Sequence, residues 1–222
     1  MAFLKGLVLD LDGTLVDSLP DLVAVLNQVL GDFGVPELTA AEAKPMVGDG
    51  TPKLVERALA ARGVTPDQIR PAQSRFLTLY EARPTRLSLF YTSAPEVLTE
   101  LTGAGWVCAV CTNKPERATR VMLSELDLDR FFRAVITGDT LPQKKPDPAP
   151  MRAALSALEV PTHRAIAVGD HANDLLAARA AGLRAIFARY GYGELTPDLP
   201  RPAGIINAFA DLPQALAQLQ FI

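Results

Sequence analysis

Two aspartates, Asp10 and Asp12, close the apolar run Leu7–Leu9, and Gly13 and Thr14 follow at once. In an extended chain, residues i and i+2 project to the same side, roughly 7 Å apart. A buried strand ending this way delivers two carboxylates together. Gly13 beside them lets the backbone come close to a ligand. Adjacent carboxylates repel, so one has a raised pKa unless a cation sits between them. Two chemistries fit, a hard metal ion and an acid/base pair, and the spacing accommodates both.

Three more polar groups follow apolar runs, one of them across a loop. Thr112, Asn113 and Lys114 follow Val107–Cys111 and precede Pro115, where a helix opens. A hydroxyl, an amide and a helix N-terminus together form an anion site. Lys144 and Lys145 stand ahead of Pro146, Asp147 and Pro148. Gly169 and Asp170 follow Ala165–Val168, with Asp174 four residues beyond Asp170.

The elements that must position these groups are legible from periodicity. The first strand covers about Lys5 to Asp10. Apolar residues at Leu22, Val25, Leu26, Val29, Leu30 and Phe33 predict a helix over 19–33. Further helices are predicted over 54–61 and within 67–82, and no good strand candidate lies between Pro20 and Arg83. Afterwards the pattern alternates. Helices are expected over 93–104, with Ser93 and Glu96 as a capping-box pair, and over 116–126, 151–158, 173–181 and 212–219. Strands are expected over 107–111, 134–137, 165–168 and 184–188. Such alternation means an α/β fold with a doubly wound, Rossmann-like parallel sheet, whose ligands bind beyond the carboxyl ends of the strands. The division expected is a core of residues 1–16 and 92–222 and an inserted helical cap of residues 17–91.

Composition excludes several classes. The 222 residues are 49% hydrophobic and 21% charged, enough for a sizeable core. The net charge is -3, with no basic stripe, so nucleic acid is not an expected partner. No apolar run approaches the roughly 20 residues of a membrane span. The run Phe3–Leu9 contains Lys5 and ends at Asp10, a poor signal peptide; a cytoplasmic protein is expected. Cys108 and Cys111 form a C-x-x-C, but no second pair exists and positions i and i+3 of a strand face opposite sides. They read as two reduced, buried thiols.

The stretch LVLDLDGTLVDS, residues 7–18, resembles the opening motif of the haloacid dehalogenase superfamily, in its phosphatase branch. The groups at Thr112, Lys145 and Asp170 match that family's later motifs in the same order. The resemblance implies that Asp10 is the nucleophile and forms an aspartyl-phosphate. It implies that Asp12 is the acid for the leaving group and then the base for water. Thr112 would hold a phosphate oxygen, with Asn113 beside it, and Lys145 would neutralise charge on nucleophile and phosphate. Asp170 would be a metal ligand together with Asp10 and Asp12, and Asp174 a ligand through water or an orienter. The chemistry agrees: a carboxylate attacking a phosphate dianion needs a cation to screen the approach. Oxygen donors and phosphate suit Mg²⁺. Asp12 must be protonated when the ester oxygen leaves, so its pKa is expected to be tuned upward. Its presence favours phosphate ester chemistry over the dehalogenases and phosphonate-cleaving relatives.

Within the cap, Val47-Gly48-Asp49-Gly50-Thr51 is a glycine-flexed turn ahead of a helix. It resembles the loop that closes over substrate in phosphatases of this family, which makes Gly48, Asp49, Thr51 and Lys53 candidate substrate contacts. Leu89–Pro95 departs from the family's usual stretch where the cap rejoins the core, which puts the hinge geometry in question. His171 follows Asp170 where serine is common, and is read as a partly exposed ring near the site. Lys144 and His163 read as surface groups. The expected function is Mg²⁺-dependent hydrolysis of a small phosphorylated metabolite by a monomer or homodimer. A sugar-phosphate mutase of the same superfamily shares every core residue. A non-catalytic phosphate-binding regulatory protein would be expected to have lost the nucleophile, acid or lysine, and none is lost.

Overall fold

The computed structural model describes residues 4–219. Phe3, the first residue of the N-terminal apolar run, lies outside them. In chain order the elements are β1 (Lys5–Leu9), β2 (Val16–Asp17), α1 (Leu19–Asp32), α2 (Ala40–Ala43), α3 (Thr51–Ala61), α4 (Ile69–Ala82), β3 (Leu89–Phe90), α5 (Ala94–Gly103), β4 (Trp106–Cys111), α6 (Glu116–Glu125), β5 (Phe132–Ile136), α7 (Ala149–Leu158), β6 (Ala165–Gly169), α8 (Ala172–Ala180), β7 (Arg184–Ala188), β8 (Gly204–Ile206) and α9 (Leu212–Ala217). Six strands form one parallel sheet in the order β5-β4-β1-β6-β7-β8. The chain runs outward from β1 through β4 to β5 and then returns to the other side of β1. This reversal makes the carboxyl end of β1 a topological switch point, where such sheets take their ligands.

The strands read as apolar runs because both sheet faces are covered. Leu7, Leu9, Cys108, Val110, Ile166 and Val168 point to one face and pack with α5, α6 and α9. Val8, Ala109, Cys111, Ala165 and Ala167 point to the other and pack with α7 and α8. Cys108 and Cys111 therefore lie on opposite faces, both free and buried, as strand periodicity requires. Burial pushes each thiol up to about 12.

Helices α1 to α4 form a helical insert with a cluster of its own. Leu22, Val25, Leu26, Val29 and Leu30 of α1 meet Leu54, Val55, Ala58 and Leu59 of α3 and Ala72, Phe76 and Tyr80 of α4. Ala118 and Tyr192 from the sheet-bearing part belong to the same cluster. The chain leaves and re-enters beside itself, because β2 pairs antiparallel with β3, Val16 against Phe90 and Asp17 against Leu89. Buried Asp21 of α1 accepts bonds from Leu87 N–H, Ser88 N–H and the Ser88 hydroxyl at 2.8, 2.7 and 2.6 Å. This pins the returning segment to α1.

The Ser93–Glu96 capping box is not formed. Ser93 sits in the left-handed region at φ 70° and its side chain makes no cap bond. The sharp turn out of β3 sets this conformation: Ala94 N–H donates to the Tyr91 carbonyl at 3.0 Å, and only the Ser93 carbonyl engages the helix, accepting from Val97 N–H at 2.9 Å. β2, β3 and β8 are two or three residues long, too short to show a period. No helix among the described residues is long and apolar enough to cross a membrane.

Candidate active site

Three strand ends converge. Asp10 follows β1, Thr112 follows β4 and Asp170 follows β6, and β1 lies hydrogen-bonded between the other two strands. The loop after β5 brings Lys145 beneath them. The Lys145 ammonium is buried and donates to Asp10 Oδ1 at 2.8 Å, Asp174 Oδ1 at 2.5 Å and the Cys111 carbonyl at 2.6 Å. All three of its protons are used. Burial works against its charge, but Asp10 and Asp174 outweigh that and raise its pKa.

Asp10, Asp170 and Asp174 each offer an oxygen, and the three atoms lie within 4.8 Å of one another. Asp170 is held by the Thr14 hydroxyl on Oδ1 and Tyr192 N–H on Oδ2, both at 2.8 Å. Asp174 Oδ2 accepts from His171 N–H at 3.0 Å, closing the first turn of α8. Burial pushes the Asp10 carboxyl well above the usual range; Lys145 opposes this, and Asp174 and Asp12 add to it. Burial, then the charges of Asp10 and Asp174, push Asp170 up as well, against the bonds from Tyr192 and Thr14. Three buried carboxylates face a single ammonium, so negative charge is in excess. An all-oxygen donor set with excess negative charge fits a hard divalent cation such as Mg²⁺.

Gly13 is required by close approach. Its φ is +86°, and a Cβ there would lie 2.4 Å from Asp170 Oδ2. Gly48 carries the same constraint from the helical insert, at φ +122° with a Cβ position 2.7 Å from the His171 ring. The insert thus sits directly on the acidic cluster's edge. Between them lies a cavity of about 40 Å³, lined by Asp10, Asp12, Thr112, Asn113 and Asp170 from below and Leu22, Val47, Gly48, Thr51 and Leu54 from above. That volume holds about three waters.

Several expected groups are placed differently. The Asp12 carboxylate stands outside the three-carboxylate cluster. It accepts from Lys114 Nζ at 2.9 and 3.2 Å and from the Ser18 hydroxyl at 2.5 Å. The structure therefore does not bring that side chain into the acidic cluster, because a second ammonium and a hydroxyl hold it. Asp49 does not line the cavity. It pairs with Arg57 and accepts from Asn173 Nδ2 at 2.6 Å, tying the turn to α8. Burial opposes its ionisation, but Asn173 and Arg57 prevail and hold its pKa below the usual value. Asn113 lines the cavity, but its amide donates to the carbonyls of Gly48 and Lys145 at 3.0 and 2.9 Å and accepts from Lys145 N–H at 2.9 Å. Thr112 keeps its hydroxyl at the cavity, accepting from Lys114 N–H at 3.2 Å. Lys53 pairs with Glu56 on the surface. Lys144 is exposed, near Gly50. His171 lines the cavity and caps α8, its ring accepting from Asn173 N–H at 3.3 Å.

Tyr80, Ser18 and Tyr192 are not expected at the site, and Lys114, expected at a strand end beside Thr112 and Asn113, is found holding Asp12. Burial would discharge Lys114, yet Asp12 and Tyr80 raise its pKa. Tyr192 accepts from Ser18 and Leu19 N–H groups at 2.7 and 3.0 Å and donates to Asp17 at 2.8 Å. The signal available for Lys114 was its place between Asn113 and a helix-opening proline. Nothing in the spacing marks Tyr80, which comes from the insert.

A doubly wound sheet with this constellation at its switch point defines the class: residues 7–188 match the model of haloacid dehalogenase-like hydrolases, and the chain belongs to that family. Among curated relatives it is 44% identical over 219 residues to a phosphoglycolate phosphatase of Cereibacter sphaeroides, covering 97% of this chain and 99% of the relative. It is 42% identical over 196 residues to a phosphoglycolate phosphatase of Rhodospirillum rubrum, covering 85% of this chain and 80% of the relative. Among solved structures it resembles a predicted phosphoglycolate phosphatase from Haemophilus somnus, with TM-score 0.88 and 30% identity, covering 98% of this chain and 100% of the other.

Proposed function

We propose that this phosphoric monoester hydrolase acts on a small anionic phosphomonoester, phosphoglycolate first among candidates, through an aspartyl-phosphate on Asp10. The observation that carries the reading is the Lys145 ammonium bridging Asp10 and Asp174, with Asp10 and Asp12 both lining one small cavity. An Asp10 oxygen attacks phosphorus, the bond from phosphorus to the ester oxygen breaks, and Asp12 gives that oxygen its proton. Water then attacks the phosphorus; Asp12 takes its proton, and the bond from phosphorus to Asp10 breaks to release phosphate. Lys145 holds Asp10 in line and offsets its charge. Thr112 donates its hydroxyl to a non-bridging phosphate oxygen. Mg²⁺ held by Asp10 and Asp170, with Asp174 as ligand or orienter, would supply charge neutralisation between carboxylate and phosphate.

Residues 17–91 serve as the cap over a core of residues 1–16 and 92–222. The Leu22, Val47 and Leu54 roof over Asp10 and Asp12 supports a small substrate enclosed between insert and sheet. The names of the relatives support phosphoglycolate in particular, as do the turn VGDG, the run CTNKP and the run KKPDP. The test is phosphate release from phosphoglycolate against a panel of sugar phosphates and nucleotides, with and without Mg²⁺. A kcat/KM for phosphoglycolate well above the panel, lost without metal, is expected. Activity spread evenly over the panel contradicts the substrate assignment.

A further inference from the structure

Tyr80 and Lys114 have no part in the reaction as written above, yet they touch it. Tyr80 belongs to α4, the last helix of the insert, and is 0% exposed. Its ring stacks on Phe76 at 5.4 Å between centroids. A phenylalanine would serve that packing equally well, but a buried hydroxyl requires a partner. The partner is Lys114 Nζ, which donates to Tyr80 Oη at 2.5 Å and sits 4.6 Å from the ring centroid. An ammonium has three protons. The others go to the two oxygens of Asp12, at 2.9 and 3.2 Å. The carboxylate is thus held by two donors, Lys114 from the end of β4 and the Ser18 hydroxyl from the entry to the insert, while Tyr80 of the insert reaches Lys114.

We propose that Tyr80 is a positioning residue. Through Lys114 it fixes the rotamer of Asp12, so that the leaving-group acid is aimed at the ester oxygen only while the helical insert is docked on the sheet. The inference rests on the reading of Asp12 as that acid. Without the Tyr80 hydroxyl, Lys114 keeps its Asp12 bonds but loses the point that anchors its long side chain. Asp12 then samples orientations in which it faces away from the substrate.

The test compares leaving groups in the presence of Mg²⁺. Glycolate cannot leave phosphorus readily without a proton, whereas nitrophenolate leaves as the anion. Single-turnover release of each product, from phosphoglycolate and from p-nitrophenyl phosphate, isolates the transfer to Asp10 from the later hydrolysis in which Asp12 also acts. Tyr80→Phe is expected to slow glycolate release about tenfold, as for a lost hydrogen bond to a charged group, and to change nitrophenolate release less than about twofold. Lys114→Met is expected to slow glycolate release about 100-fold with the same selectivity. It decides the question should Tyr80→Phe fail to melt like the parent protein. Asp12→Asn is measured alongside. If it is selective for glycolate and Tyr80→Phe slows both products equally, or neither, the positioning role is overturned and the acid assignment stands. If Asp12→Asn itself slows both equally, the acid assignment fails and the positioning role with it.

Discussion

Adding Mg²⁺ should stabilise this protein more at pH 8 than at pH 5.5. Asp10, Asp170 and Asp174 crowd three carboxylates within 4.8 Å against the one ammonium of Lys145. Burial first, then mutual repulsion, raises the pKa of Asp10 and Asp170 in the folded protein. A carboxyl with a higher pKa folded than unfolded binds its proton more tightly in the folded state. The stability of the metal-free protein therefore falls as pH rises from about 4, the ordinary carboxylate value, toward neutrality. A divalent cation replaces the missing positive charge, and protons compete with it below neutrality. At 100 times its dissociation constant a bound ion adds about 2.7 kcal/mol. In a chain of this length each kcal/mol moves Tm by about 2–4 °C, so the expected gain at pH 8 is about 5–11 °C. Differential scanning calorimetry across pH, with and without Mg²⁺, measures it. Asp170→Asn should abolish the gain. Equal gains at pH 5.5 and pH 8, or an undiminished gain in Asp170→Asn, would refute the placement of the ion among these carboxylates.

Lys145→Met leaves Asp10 and Asp174 facing each other without their shared cation; it should cost about 3–5 kcal/mol by urea denaturation and reduce kcat on phosphoglycolate by at least about 10³. Cys108 and Cys111, buried on opposite sheet faces with pKa pushed up to about 12, should resist a thiol-specific chromogenic reagent in the folded protein. Both should react once guanidinium unfolds it, and rapid labelling of either thiol in the native state would contradict the strand assignment.

The parallel sheet was legible because its strands are buried on both faces and its helices present a clean period. Leu7–Leu9 and the Leu22, Val25, Leu26, Val29 and Leu30 stripe of α1 could hardly be read otherwise. Asp10, Thr112 and Asp170 were legible because each follows an apolar run, and strand ends in such sheets share one rim; Lys145 was legible from its place before Pro146-Asp147-Pro148. What stayed hidden depends on contacts between distant segments. Asp49 reads as a substrate contact in a flexible turn, but Arg57 one helical stretch later and Asn173 on α8 claim its carboxylate. Asp12 reads as a neighbour of Asp10, yet Lys114, 102 residues away, holds its carboxylate apart from the acidic cluster. Ser93 has the chemistry of a cap, but the turn out of β3 forces it to φ 70°. Tyr80 looks like one more apolar position of a helix, because its hydroxyl acquires meaning only when the insert docks.

The central claim is that Asp10 carries the phosphoryl group. Its most direct test is rapid acid quenching of the enzyme with ³²P-phosphoglycolate and Mg²⁺, followed by peptide mapping of the acid-stable, hydroxylamine-labile label. The account expects label on the peptide containing Asp10, turning over at the steady-state rate and absent in a folded Asp10→Asn variant free of deamidation. Full turnover by that variant, or label on another residue, would contradict it.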